Sequence, residues 1–525
     1  KVRDILDFFE KSQSDLPEVL IMEKDLSSSE MKSLYLSSQA LVAPSHGEGF
    51  NLTVAEAMSL GIPVVTTGWG GQTDFCNSNN SFLIDYDFEY TDTHFSLFSS
   101  VWAKPSRDHL ARIMKYLYNS SDDLIRPKIN AAKQSISKFN WRNVAEKNVD
   151  FVINLNNKPF YKSSKIGWIS TWDTKCGIAT YSEHLLSEIK ESYVVFAPRN
   201  TKNKDKKVIR SWNIGDDDLE NLFCEILANK ITTIVIQFNY GFFKFSSFSK
   251  LIHKVHSKNI KIILFLHSTI DPLLDKTKRI IDIKDSLSLC DRLLVHTPAD
   301  LNRLKNIGLV ENVSLFPHGI LDIPSYNRDF TKEKTIKKIF HFSTYGFCLP
   351  NKGFRELIQA IRIMLRNGFE CRLSLYTSLH DDMSSLLFYN QLLSLIDNFN
   401  LSEHVDIDTT FMSDKETIDK LSKTDLVIFP YQVTNESASG AVRQAISSLT
   451  PVAVTPLSIF DDVLPVVYKL PGCTPSLIAE GLYDWVQKKS DRSMTSHEKE
   501  WRKQHSFHKL GYRLHGIIKS LEVNC

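Results

Sequence analysis

Apolar residues in this chain alternate between two rhythms. Short continuous runs, Ala40-Leu-Val-Ala-Pro44, Pro63 to Thr67, Ile231 to Phe238, Ile260 to Leu266 and Asp425-Leu-Val-Ile-Phe-Pro430, read as strands buried on both faces. Between them apolar positions recur at helical spacing, as in Val54 to Leu60, Ala179 to Ile189 and Ala441 to Ser448. Strand, helix and strand in this order predict parallel βαβ units with right-handed crossovers, hence an α/β fold of doubly wound, Rossmann-like sheets. Ligands of such sheets sit at the carboxyl ends of strands, so the loops that follow the apolar runs are where chemistry is expected.

The pattern occurs twice. Ser27-Ser-Ser-Glu30 is a capping box that opens a helix before the Ala40 strand, the Val54 helix and the Pro63 strand. Ser413-Asp-Lys-Glu416 opens the same series near the other end, followed by the Asp425 strand, the Ala441 helix and the strand Pro451-Val-Ala-Val-Thr455. From Glu48 and Glu436 onward the two copies keep a constant offset, and both glutamates fall at strand carboxyl ends. Each copy ends in an aromatic-led helix. Phe139 and Trp141 precede Val144, Asn148 and Val152, while Trp501 and Phe507 precede Leu510, Leu514, Ile517 and Leu521.

Between the copies, Asn154 to Pro159 is polar and without periodicity, which predicts a linker. Lys165-Ile-Gly-Trp-Ile-Ser170 then reads as a strand leading to Cys176-Gly177, and the charged stretch Asp329 to Lys334 predicts a second boundary. At roughly 100–200 residues per domain, a chain of 525 residues has room for about three lobes. Those expected are 1–154, 165–333 and 334–525. The chain opens on Lys1 within a helical pattern, Val2, Ile5, Leu6 and Phe9, which predicts that the natural N-terminus lies upstream.

Composition narrows the function classes. Lys plus Arg is 63 against 61 Asp plus Glu, a net charge of +2, which gives no general electrostatic reason to expect a nucleic acid partner. The eight cysteines are scattered with no Cys-x-x-Cys, as expected of reduced thiols in a cytoplasmic protein. No apolar run approaches the ~18 residues of a spanning helix. Asp406-Ile-Asp408 is a literal Asp-x-Asp but precedes the Ser413 capping box, far along the chain from Glu436, so no metal is expected.

The most specific string is Gly47-Glu48-Gly49-Phe50-Asn51-Leu52-Thr53-Val54-Ala55-Glu56-Ala57-Met58, with Gly61-Ile-Pro63 after it. A glycine-containing loop feeding a helix start offers backbone N–H groups to a phosphate, while Glu48 and Glu56 are suited to accept hydroxyl protons of a sugar and a ribose. The string resembles the acidic motif of retaining GT-B glycosyltransferases of the "group 1" (family 4-like) class. Glu436-Ser-Ala-Ser-Gly440-Ala-Val-Arg443-Gln444 resembles a variant of it. The resemblance implies that the first glutamate contacts the transferred sugar, the second holds the ribose, and the amides between them cradle the diphosphate. Those roles fall on Glu48, Glu56 and Gly49-Phe50 in the first copy, and on Glu436, Gln444 and Ser439-Gly440 in the second. Gln444 departs from the motif, and its missing charge is expected to weaken ribose binding by ~1–2 kcal/mol.

The middle stretch resembles the acceptor-side half of the same enzymes. Trp172 to Tyr181 resembles their glycine-rich turn at Gly177, Gln237-Phe-Asn239 their acceptor-cleft loop, and His267 the histidine facing the reacting sugar. In Gly346-Phe-Cys-Leu-Pro-Asn-Lys352-Gly353 the family's diphosphate-binding Lys is kept as Lys352, whereas its Arg position is Phe347. Arg443, at the first turn of the motif helix, is expected to replace that charge. Together these imply one complete two-lobe GT-B module preceded by the C-terminal lobe of another. The expected reaction is metal-independent transfer of a sugar, with mannose as the family habit, from a nucleotide-sugar donor to a glycan or lipid-linked oligosaccharide, with retention, in surface polysaccharide synthesis. A binding-only module and a sugar-nucleotide epimerase are the alternatives. The terminal helix, with Lys499, Arg502, Lys503, Lys509, Arg513 and Lys519 beside an apolar stripe, is expected to pack across two lobes, with peripheral contact at the inner face of the cytoplasmic membrane as the second reading.

Overall fold

The computed structural model describes residues 19–92, 97–156, 165–199, 205–273, 275–321, 339–380, 383–434, 436–488 and 495–522. The opening helical pattern and the charged boundary at 329–334 lie outside them. The chain divides into two compact units, Lys1–Asp87 with Ala103–Lys158, and Phe88–Trp102 with Pro159–Cys525.

The first unit is built on three strands, β1 (Leu41–Ala43), β2 (Val64–Thr67) and β3 (Phe82–Ile84), all parallel, in the order β1-β2-β3. The helix Ser28–Ser37 starts at the capping box formed by Ser27 and Glu30. The helix Leu52–Leu60 buries Val54, Ala55, Ala57 and Met58 in a core with Tyr35, Val64 and Phe75. Its closing helix, Trp141–Asn156, runs on into the stretch expected as a linker, whose remainder is outside the described residues. Two further strands follow β3 in the chain, β4 (Tyr86–Tyr90) and β5 (Val101–Pro105), which pair as a two-stranded sheet.

The second unit holds two parallel sheets. One has seven strands, β6 (Lys165–Ile169), β7 (Ser192–Pro198), β8 (Val208–Trp212), β9 (Thr233–Phe238), β10 (Lys261–Leu266), β11 (Arg292–Val295) and β12 (Val313–Leu315), in the order β12-β11-β10-β9-β6-β7-β8. The order turns back on itself at β6 and β9, the arrangement that opens a crevice at the strand ends. The other has six, β13 (Phe340–Phe347), β14 (Cys371–Ser378), β15 (Val405–Asp408), β16 (Leu426–Phe429), β17 (Val452–Val454) and β18 (Tyr468–Lys469), in the order β15-β14-β13-β16-β17-β18. Strands β9, β16 and β17 are buried along their whole length, which is why they read as unbroken apolar runs.

The β16-β17-β18 half of this sheet repeats the first unit. Leu41 pairs with Val64 and Val42 with Val65; in the second copy Val427 pairs with Val452 and Ile428 with Ala453. Asn51 and Ser439 are the equivalent N-caps of the two motif helices, each accepting a bond from a backbone N–H three residues on. The chain ends by crossing between its two sheets. Trp501 packs with Val427, Phe429 and Ile446, while Leu510, Leu514, Ile518 and Leu521 of the helix Phe507–Glu522 pack with Trp168, Tyr181 and Leu185. At ~1.5–3 kcal/mol for each fully buried aliphatic side chain, the helix Phe507–Glu522 is firmly anchored on the seven-stranded lobe, while the preceding helix Ser496–Gln504 holds the other through Trp501. The apolar stripe is therefore covered. Arg513 donates to the Leu315 carbonyl at 2.6 Å and Arg502 to that of Ile446. Among the described residues no helix is long and apolar enough to cross a membrane.

Candidate functional site

The site is assembled by two turns. After β13 the chain passes through a short turn, Pro350–Lys352, and reaches Gly353 at φ 75°. A Cβ at Gly353 would sit 1.8 Å from the Pro430 carbonyl oxygen, so only glycine lets this turn close onto the loop after β16. The close approach sets Lys352 Nζ 3.3 Å from Glu436 Oε2 and 4.2 Å from the centre of the Tyr431 ring. Tyr431 in turn shares a hydrogen bond of 3.1 Å with the Ser439 hydroxyl. Burial alone would lower the Lys352 ammonium, but Tyr431 and the Glu436 carboxylate outweigh it and hold the group above its usual range. It is a fixed positive charge at neutral pH.

The second turn is the start of the helix Gly440–Ser447. Its first-turn N–H groups have no intrahelical acceptor, and Ser439 satisfies that of Val442 at 3.5 Å. Gly440 is exposed, with nothing within 4 Å of where a Cβ would stand. An anion placed there would meet free amides, the positive end of the helix and Lys352 together.

These groups line a cleft of about 470 Å3 between the two lobes of the second unit. The cleft gathers Lys352, Glu436, Ser439, Gly440 and Gln444 from one lobe, with Gly177 at the start of the helix Gly177–Ser187 on the other. Phe347, in the family's arginine position, also lines it. Arg443 reaches the lining too, but it is neither solvated nor free. It is 2 % exposed, donates from Nη1 to the Ser439 carbonyl at 2.9 Å, and forms a buried ion pair with Asp462. Burial raises the Asp462 carboxyl and the guanidinium opposes that rise. Arg443 thus holds the motif loop from beneath, with two of its three nitrogens committed to protein. Gln444 is also engaged: its amide nitrogen bonds to Asp414, whose other oxygen lies 2.8 Å from His184 Nε2.

His267, Gln237 and Asn239 are not among the residues lining this cleft. His267 Nε2 lies 2.7 Å from Gln237 Oε1, and its Nδ1 is 3.3 Å from His296 Nε2. His296 Nδ1 faces the Phe316 carbonyl at 2.9 Å and must carry the proton, so His267 Nδ1 donates to His296. A neutral His267 then needs a donor at Nε2. The Gln237 amide nitrogen, buried without a partner, supplies it if the amide is turned over. Burial first, then His296, keeps His267 well below its usual value, and burial lowers His296 to about 4. His267 thus sits in a row of mutually bonded side chains with Gln237 and His296. Asn239 accepts from the Gly241 N–H at 2.8 Å.

In the first unit the motif loop is braced differently. Gly71 N donates to the Glu48 carbonyl at 2.9 Å, and a Cβ on Gly71 would lie 1.9 Å from the Gly49 oxygen. Phe50 packs against Phe75 and Phe139 with ring centres 4.9 and 5.9 Å away. Glu48 and Gly49 are exposed, and Glu56 accepts from the Tyr35 hydroxyl at 3.3 Å. No residue equivalent to Lys352 is described in this unit.

The sequence reading missed Tyr431, Asp462, Asp414 and His184. Tyr431 had a local signal, a polar aromatic just past a buried strand. The other three are joined to the site only by tertiary contacts. Asp300 is a further case: fully buried, it accepts from Ser437 of the motif loop at 2.7 Å and from Thr269 at 2.6 Å. Its capping box with Thr297 was visible as Thr-x-x-Asp, but its hold on the motif loop was not. Asp406 and Asp408 are each engaged by a protein neighbour: Asp406 accepts from Ser374, and hydrogen bonding from Lys420 first lowers Asp408 to about 2. Among the described residues no group of three or more His, Cys, Asp or Glu side chains is placed to hold a metal.

Known proteins bear on this geometry in two ways. Residues 9–90 match the family model described as glycosyl transferases group 1. The match covers the first copy of the motif. No curated protein matches the chain at the level of sequence. Among solved structures, a glycosyltransferase from Rickettsia africae superposes with a TM-score of 0.55 at 12% identity, covering 70% of this chain and 100% of its own. Sucrose-phosphate synthase from Thermosynechococcus elongatus gives 0.53 at 12%, covering 69% and 100%. Anabaena HepE in complex with UDP gives 0.53 at 12%, covering 68% and 100%. At this identity the likeness is one of fold. The fold is α/β with GT-B type, Rossmann-like lobes.

Proposed function

We propose that the second unit is a nucleotide-sugar-dependent, retaining glycosyltransferase, and that the first unit is the nucleotide-binding C-terminal lobe of another such module. The observation that carries this reading is the convergence of Lys352, Glu436 and the open N-terminus of the helix Gly440–Ser447 on one interlobe cleft. A departing nucleoside diphosphate would be stabilised by the Lys352 charge and by the Gly440 and Ala441 amides. Glu436, 60 % exposed on its side chain, turns a carboxylate toward the sugar hydroxyls. With the acceptor hydroxyl attacking from the face the diphosphate leaves, no protein nucleophile is needed. UDP in Anabaena HepE and sugar phosphate synthesis by the Thermosynechococcus relative support a nucleotide-sugar donor. The sugar acceptor is a glycan hydroxyl, with surface polysaccharide assembly in the cytoplasm as the setting.

A binding-only cleft is the second reading, favoured by Phe347 and by the commitment of Arg443 to Asp462, which together leave Lys352 to face a diphosphate. The test is a thermal-shift screen of the whole chain against nucleotide sugars, followed by product analysis with glycan acceptors in the presence of chelator. Transfer that survives chelator supports the proposal. Stabilisation by a nucleotide sugar without any transfer selects the binding-only reading, and a requirement for a divalent cation contradicts metal independence.

A further inference from the structure

We propose that Asp414 is the residue that recognises the ribose 2′,3′-diol of the nucleotide, which rests on the reading of the cleft as a nucleotide-sugar site. Among the described residues the cleft is lined by three carboxylates, Glu183, Asp414 and Glu436. Glu436 is balanced by Lys352. Asp414 is different: no lysine or arginine holds it in the contacts described, and it is fixed by the Gln444 amide on Oδ1 and the His184 imidazole 2.8 Å from Oδ2, with its side chain 29 % exposed. Each oxygen so fixed keeps one lone-pair direction, and two adjacent acceptors on one carboxylate match two adjacent hydroxyl donors on a ring.

The position fits the missing charge of the motif. Gln444 stands on the helix Gly440–Ser447 and cannot itself offer two equivalent acceptors, but its –NH2 group orients a carboxylate borrowed from the neighbouring helix Asp414–Ser422. The Ser413 and Glu416 capping box fixes the first turn of that helix independently of the Asp414 side chain, so the carboxylate is presented by a rigid element. His184 comes from the opposite lobe, so the diol contact would be complete only when the cleft is closed as it is here.

The experiment is calorimetric titration of the whole chain with UDP, GDP and ADP and with their 2′-deoxy counterparts. For whichever base binds, the wild type should prefer the ribonucleotide by about tenfold, near 1.4 kcal/mol for the lost charged hydrogen bond. Asp414→Asn should bring ribo and 2′-deoxy forms within about twofold of each other, weakening the ribonucleotide more than the deoxy form, which has only its 3′-hydroxyl to lose. The double variant Asp414→Asn with Gln444→Glu should restore the preference by returning a carboxylate to the cleft. Thermal melting of each variant checks that the fold is retained. A wild-type preference that survives Asp414→Asn would overturn the assignment and leave the nucleotide site standing. A wild type that binds none of the nucleotides overturns both.

Discussion

Two helices close the two copies of the repeat, and they differ in what covers them. In the second unit the helix Phe507–Glu522 buries Leu510, Leu514, Ile518 and Leu521 against the seven-stranded lobe. In the first unit the helix Trp141–Asn156 leaves Trp141 88 % exposed and Val149, Phe151, Val152 and Ile153 more than half exposed. Both helices carry the same kind of apolar stripe. A stripe read from sequence therefore fixes which face is apolar, and what packs on it decides whether that face contributes to stability. The motif loops differ in the same sense: Glu436 belongs to a cleft with Lys352, whereas Glu48 is exposed on a lobe braced by Gly71.

The largest effect that could break this comparison is at paired positions of the motif helices. Arg443→Ala leaves Asp462 buried without its partner and should destabilise the second unit by ~3–5 kcal/mol in urea unfolding, whereas the first copy carries Ala55 at this position at no such cost. A loss under 1 kcal/mol would remove Arg443 as the support of the loop. Next are the closing helices. Leu514→Ala should cost about 3 kcal/mol and Val149→Ala less than about 0.5 kcal/mol, by the same measurement. Equal costs would show that the Trp141–Asn156 face is covered after all.

Acid should reveal the second unit's buried histidines. Burial lowers His296 and His505 to about 4, so the folded unit keeps them neutral while the unfolded chain takes up protons near its usual value of about 6.5. Their contribution is intact above about pH 6.5 and is lost as pH falls toward 4, on the order of 3 kcal/mol for each. A pH-independent unfolding free energy over that window would contradict the neutral row formed with His267. The smallest effect concerns the left-handed residue that ends each motif helix's last turn. Gly61 and Leu449 occupy equivalent positions with φ 81° and 60°. A leucine there is strained, so Leu449→Gly should raise the stability of the second unit by up to ~1 kcal/mol.

Much of this was legible in the chain because it is local. Ser27 with Glu30 and Ser413 with Glu416 form the capping boxes their spacing announces, and the constant offset from Glu48 and Glu436 places both motif helices. The runs at β9, β10 and β16 are strands for the reason they look like strands, burial on both faces. The expected Lys352, Glu436, Ser439, Gly440 and Gln444 meet in one cleft. What was not legible depends on contacts between distant positions. Nothing near Arg443 in sequence announces Asp462, and nothing near Asp414 announces His184. The strand-end position of His267 was legible, but its hydrogen bonds to Gln237 and His296, on neighbouring strand ends, were not.

The central claim is that the second unit's cleft does the chemistry and the exposed motif of the first does not. The most direct measurement is the rate of sugar transfer by the whole chain carrying Glu436→Gln or, separately, Glu48→Gln, at saturating donor. If the Glu436 carboxylate meets the reacting sugar as proposed, its removal should lower the rate on the order of a hundredfold for Glu436→Gln, while Glu48→Gln leaves it unchanged. A hundredfold loss at Glu48 with normal transfer at Glu436 would contradict the account.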